Sequence, residues 1–105
     1  MKARIRTKEQ RIAENIREQF YNRKTGKIKN EEQFFNNLYD ELAIINRQRQ
    51  EDKFEKFVMF EEQEDGTYLF YDEIFPENIA KIKNAEGLIL LLSQMILANL
   101  IVNTI

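Results

Sequence analysis

Apolar positions along this chain first recur at helical spacing, then lose that period, and finally fill a whole segment. Ile12, Ile16 and Phe20 stand at i, i+4 and i+8 with Ala13 beside them, and the residues around them are mostly charged or amide-bearing. A stripe this narrow predicts an amphipathic helix laid on a core. Thr7 followed by Gln10 supplies a start, because in that pattern each side chain satisfies an orphan backbone N–H of the other residue. Gly26 after Thr25 offers a stop, and Arg23 and Lys24 then suit the negative end of the helix dipole. A second capping box reads at Asn30 and Gln33, after which Phe34, Phe35, Leu38, Leu42 and Ile45 share one face. This predicts a helix over about 31–50. Tyr39 and Ile44 fall off that stripe.

The period then changes. The runs KFVMFEEQ and TYLFYD are rich in aromatic and branched residues and flank Glu64-Asp65-Gly66. Asp-Gly between such runs is a hairpin signal, since Gly supplies the positive φ that hairpin turns require. A two-residue turn pairs Phe60 with Tyr71 and a three-residue turn pairs it with Phe70; the pattern alone does not choose. Aromatics on both faces near the open end predict cover on both sides. A two-stranded ribbon is marginal in water, so it needs the helices or a strand from another copy. Pro76 marks a boundary and suits the first position of a helix. A short helix over 77–83, with Ile79 and Ile82 apolar, is the expectation there.

Residues 88–105 include thirteen apolar side chains out of eighteen and no charge. Ser93, Gln94, Asn99, Asn103 and Thr104 scatter around the helical wheel, so no wide polar face remains. Burial in protein is the favoured reading. The fold class expected is therefore α+β, mainly helical: two N-terminal helices, one β-hairpin, a short helix and a buried apolar C-terminal helix. Core candidates are Ile12, Ile16, Phe20, Phe34, Leu38, Leu42, Ile45, Phe57, Phe60, Leu69, Tyr71, Leu91, Met95 and Leu100. A chain of 105 residues reads as a single domain, 1–105, with 1–6 a candidate flexible basic arm.

Composition narrows the chemistry. There is no His and no Cys, and Ser93 is the single Ser. Those counts exclude Ser-His and Cys-His nucleophiles and thiolate zinc sites. The three glycines are isolated, so no phosphate-cradling loop exists. No cofactor, metal site or catalytic residue is expected, and the chain reads as a non-enzyme. The opening MKARIRTKEQ lacks the apolar run of a signal peptide, which with the missing cysteines fits a cytoplasmic protein.

Charge is segregated. Residues 1–29 hold ten Lys or Arg against three Glu, and the remainder carries a net of −9. The first functional reading is a small protein-binding, self-associating regulator or inhibitor, of the size common among viral and mobile-element proteins. Its interface candidates are Leu88, Leu92, Met95, Ile96, Asn99 and Asn103 on the apolar helix, with Glu61, Glu62, Glu64 and Asp65 at the hairpin tip. Asn99 and Asn103, one turn apart, are candidates for a register-setting amide pair between copies. The alternative is nucleic-acid binding through Arg4, Arg6, Arg11, Arg17, Arg23, Lys24, Lys27 and Lys29, with Phe20 and Tyr21 as candidate stacking rings. A third reading, a membrane tail anchor through 87–105, would place several amides in hydrocarbon and is disfavoured.

Overall fold

The computed structural model describes residues 7–53, 55–77 and 79–103, with side chains through residue 101. The elements run α1 (Lys8–Phe20), β1 (Tyr21–Asn22), β2 (Lys27–Ile28), α2 (Glu31–Glu51), β3 (Val58–Glu62), β4 (Tyr68–Asp72), β5 (Ala80–Ile82) and α3 (Ala85–Asn103). The fold is α+β and mainly helical. β1 and β2 form a small antiparallel hairpin, and β3, β4 and β5 form an antiparallel sheet in that order. Both α1 and α2 pack against α3.

Helix α1 starts as its sequence dictates. The Thr7 hydroxyl accepts from Gln10 N at 3.1 Å, and the Gln10 side chain accepts from Thr7 N at 2.9 Å. It ends at Phe20, earlier than expected. Tyr21 turns extended at φ −103° and ψ 123°, and Lys29 N bonds to Phe20 O at 2.7 Å, so the chain folds straight into β1 and β2. Gly26, at φ +70°, serves this hairpin turn and is not a helix stop. Arg23 and Lys24 consequently lie in the turn, away from any helix end.

Helix α2 keeps its expected span, but its start corrects the second capping box. Asn30 is left-handed at φ 54° and ψ 51°, and its side chain makes no cap. Asn tolerates that conformation better than most residues, and Glu31 and Glu32 in the first turn answer the helix dipole instead.

The main hairpin takes the three-residue register, with Phe60 opposite Phe70. The expected short helix over 77–83 is absent: Ala80–Ile82 is extended and pairs with β4, Ile82 opposite Tyr68. The third strand thus comes from the same chain. Two isoleucines three apart fit a helix as well as a strand end, and so short a strand displays no period of its own.

The core joins Ile16 and Phe20 of α1, Phe34 and Leu38 of α2, Phe60 and Ile82 of the sheet, and Leu88, Ile89, Leu91, Leu92 and Met95 of α3. Phe20 meets Phe34 edge-on at 5.4 Å, and Phe60 stacks on Tyr68 at 5.2 Å. Ile12, Leu42 and Ile45 are partly buried against this cluster. Four expected core residues are not in it. Leu100 is 38% exposed, and Phe57, Leu69 and Tyr71 are half-buried. Side chains alternate across a strand, so Leu69 and Tyr71 share the sheet's far face with Met59, Glu61 and Lys81, none of them buried. Among the described residues, helices cover the sheet on one face only.

Gly87 lies inside α3, where a Cβ would come within 2.9 Å of Ile82 Cγ2. This close approach seats the start of α3 on β5. Asn84 caps the helix there, accepting from Gly87 N at 2.9 Å.

Candidate functional site

Helix α3 is apolar on every side, yet the fold covers only part of it. Ala85, Leu88, Ile89, Leu91, Leu92, Ser93, Met95 and Asn99 are buried. Ser93 is fully buried and donates its hydroxyl to Leu90 O at 2.7 Å. The remaining face carries Leu90 (40% exposed), Gln94, Leu97, Ala98 and Ile101 (54% exposed). At 3.6 residues per turn, positions 90, 94, 97 and 101 fall within about 60° of one another. Their 4-3-4 spacing is that of the a and d positions along a coiled-coil seam. No charged residue occurs between Gly87 and Asn103. No charged side chain interrupts this outward seam.

Beside the seam, a cleft of about 380 Å³ opens between α2, the sheet and α3. Ile45, Val58, Phe70, Leu91 and Met95 give it apolar walls, and Ile44 stands at its lip, 40% exposed. One end is closed by Arg49, which donates to both carboxylate oxygens of Asp72 at 2.8 and 2.7 Å. That hydrogen-bonded pair holds the Asp72 carboxyl below the ordinary carboxylate value against the opposing effect of burial. Gln94 and Ala98 border both cleft and seam.

The interface residues expected from sequence divide accordingly. Leu88, Leu92 and Met95 are buried in the chain's own core and are not surface, while Ile96 is partly buried against it. Asn99 donates to Glu41 O at 3.1 Å and to the Glu41 carboxylate, so its amide ties α3 to α2 within one chain. For the expected amide pair between copies, Asn99 is engaged within its own chain, and the Asn103 side chain lies outside the described residues. Sequence reasoning missed Leu90, Leu97 and Ile101. Their common spacing was visible, but only packing tells which side of an all-apolar helix is left over.

At the β3–β4 tip, Glu62 and Glu64 are exposed and Glu61 accepts from Tyr71 Oη at 3.3 Å. Asp65 accepts from Thr67 N at 3.0 Å and from its hydroxyl, and faces Lys81 Nζ at 3.3 Å. The Thr67 bonds, helped by Lys81, hold its carboxyl at about 2. Asp65 is therefore a turn-forming residue. Among the described residues, no group of three or more His, Cys, Asp or Glu is placed to hold a metal.

The basic third is sorted by the fold as well. Arg17 binds Glu86, its Nε donating at 2.8 Å, which joins the end of α1 to the start of α3. That pairing takes it out of the expected patch. Arg11 is exposed on α1, while Arg4 and Arg6 lie outside the described residues. Arg23, Lys24, Lys27 and Lys29 are all exposed on or beside the β1–β2 hairpin, the first two and Lys29 around one depression and Lys27 on a neighbouring one. Phe20 is 2% exposed and Tyr21 half-buried against the core, so neither ring is presented for stacking.

Among the described residues, no helix is long and apolar enough to cross a membrane. Withdrawing α3 into a bilayer would dismantle the core it completes. No protein-family model, curated protein or solved structure matches this chain.

Proposed function

We propose that this is a non-enzymatic, self-associating regulator that acts by binding, and that a second copy of the chain covers the α3 seam. The observation that carries the reading is the outward face of Leu90, Leu97 and Ile101 around Gln94, with no charged residue between Gly87 and Asn103. Covering such a face gains roughly 25 cal/mol for each Å² of apolar surface removed from water, and no charge has to be desolvated. The non-enzymatic part rests on composition, because His and Cys are missing and Ser93 is buried in α3.

A second copy suits the seam better than an unrelated partner because the seam is self-complementary. When two copies cross antiparallel about a two-fold axis, Leu90 of each meets Ile101 of the other, and Gln94 meets Leu97. Antiparallel crossing also opposes the helix dipoles favourably. The same contact borders the cleft through Gln94 and Ala98, so assembly and any occupant of the cleft would be coupled.

The test is light scattering of the full chain across the micromolar range. A dimer that becomes monomeric in Leu90→Glu and in Ile101→Glu, with unchanged circular dichroism, is the expected result. A strict monomer at high micromolar concentration would overturn the reading.

A further inference from the structure

We infer that the β1–β2 hairpin is a phosphate-backbone contact for nucleic acid, made by Arg23, Lys24, Lys27 and Lys29. The inference stands on how the fold distributes its cations. Arg17 is given to Glu86, Arg49 to Asp72 and Lys81 to Asp65. The four hairpin cations are exposed and, among the described residues, none of them is in an ion pair, although the chain holds 18 Asp and Glu.

These charges ride on a hairpin with a defined backbone. The Asn22 carboxamide oxygen accepts from Lys24 N at 3.0 Å and Thr25 N at 3.3 Å, and the Thr25 hydroxyl accepts from Lys27 N at 3.3 Å. Gly26 N bonds to Asn22 O at 2.7 Å, closing the turn. At its base, Phe20 is locked in the core. The cations therefore start from a fixed backbone, and less ordering is needed when they meet a row of phosphates.

Arg23, Lys24 and Lys29 also line a shallow depression of about 400 Å³ with Tyr21, Asn22, Arg17 and Glu18. Glu18 there, and Glu31 across a neighbouring hollow from Lys27, limit how far the positive patch spreads. Phe20 is buried and Tyr21 is half-buried against the core, so the contact is to the sugar-phosphate backbone and is indifferent to base sequence. It is separate from the seam on α3 and does not depend on self-association.

Fluorescence anisotropy of the full chain with a short labelled DNA duplex tests this. Neutralising four phosphates predicts a slope of about −3.6 in log affinity against log salt, roughly a 150-fold loss between about 50 and 200 mM. Lys24→Gln with Lys27→Gln should bring the slope to about −1.8; both side chains are exposed, and the turn's hydrogen bonds use only their backbone N–H groups. Lys53→Gln with Lys56→Gln, at exposed sites outside the hairpin, should leave the slope unchanged. A single strand of the same length should bind with a shallower slope. Absence of duplex binding would overturn the inference, as would a slope insensitive to Lys24 and Lys27 or equally sensitive to Lys53 and Lys56. Binding to anionic vesicles in place of duplex would overturn it too.

Discussion

Arg49 and Asp72 are joined by two hydrogen bonds, 2.8 and 2.7 Å, which fasten the last turns of α2 to the end of β4. Their side chains are 18% and 12% exposed, and Asp72 also accepts from Ile74 N at 2.9 Å. Removing one partner leaves the other charge partly buried and uncompensated. Asp72→Ala is expected to cost about 2–3 kcal/mol, read as a lowered urea midpoint with an unchanged slope.

The same pair sets a pH dependence. Arg49 holds the Asp72 carboxyl below its unfolded value of 3.8. A carboxyl depressed in the folded state contributes its stability fully above the unfolded value and loses it as pH falls through the folded one. Urea midpoints should therefore be level from neutrality to about pH 5 and decline below about pH 4. Asp72→Asn should be less stable at neutral pH and show a shallower decline in acid. An identical acid profile in the variant would assign the loss to other carboxylates.

Gly87→Ala should destabilise, although Ala is the better helix former by about 1 kcal/mol. The new methyl meets the stiff, buried Ile82 side chain at 2.9 Å, and relieving that overlap is expected to cost about 1–3 kcal/mol. Ile82→Ala should lower stability alone yet cost less in the Gly87→Ala background. Strict additivity in that double-mutant cycle would place the strain elsewhere.

Asn46 acts as a piece of backbone. Its carboxamide accepts from Val58 N at 2.9 Å and donates to Val58 O at 3.0 Å, pairing as a neighbouring strand would. Asn46→Ala should cost about 1–2 kcal/mol. Amide exchange at Val58 should accelerate more than at Met59, whose partner is Tyr71 in β4.

The proposed antiparallel contact between two copies makes a pairing prediction. A Leu90→Glu chain and an Ile101→Lys chain should each be largely monomeric, because a lone charge would be buried at the contact. Mixed, they should associate, Glu beside Lys at one end and Ile101 beside Leu90 at the other. Rescue in the mixture checks orientation as well as location, since parallel copies would not bring positions 90 and 101 together.

What the sequence made legible follows from how local each signal is. The Thr7 cap, both N-terminal helices, the β3–β4 hairpin and most core positions on α1 and α2 are short-range patterns, and they stand in the structure. Misread elements depend on distant partners. Ile82 became part of a strand because β4 offered an unpaired edge, and Phe20 ended α1 because Lys29 returned to bond it. At the surface, sequence located the basic cluster and the apolar helix but not their inward and outward sides. Leu92 and Leu90 are chemically identical, and only α1, α2 and the sheet decide which is covered.

The Asn46 carboxamide also bears on what the chain does when crowded. The edge of β3 would otherwise present Val58, Phe60 and their neighbours as a template for cross-β growth, a hazard of apolar edge strands. With a side chain already bonded at Val58, an incoming strand is kept from the start of β3, and Glu61 and Glu62 at its other end oppose stacking in register. A single amide thus guards the start of β3 against fibril growth along that edge. Asn46→Ala protein incubated at high concentration should show earlier thioflavin-positive aggregation than the parent at matched folded fraction.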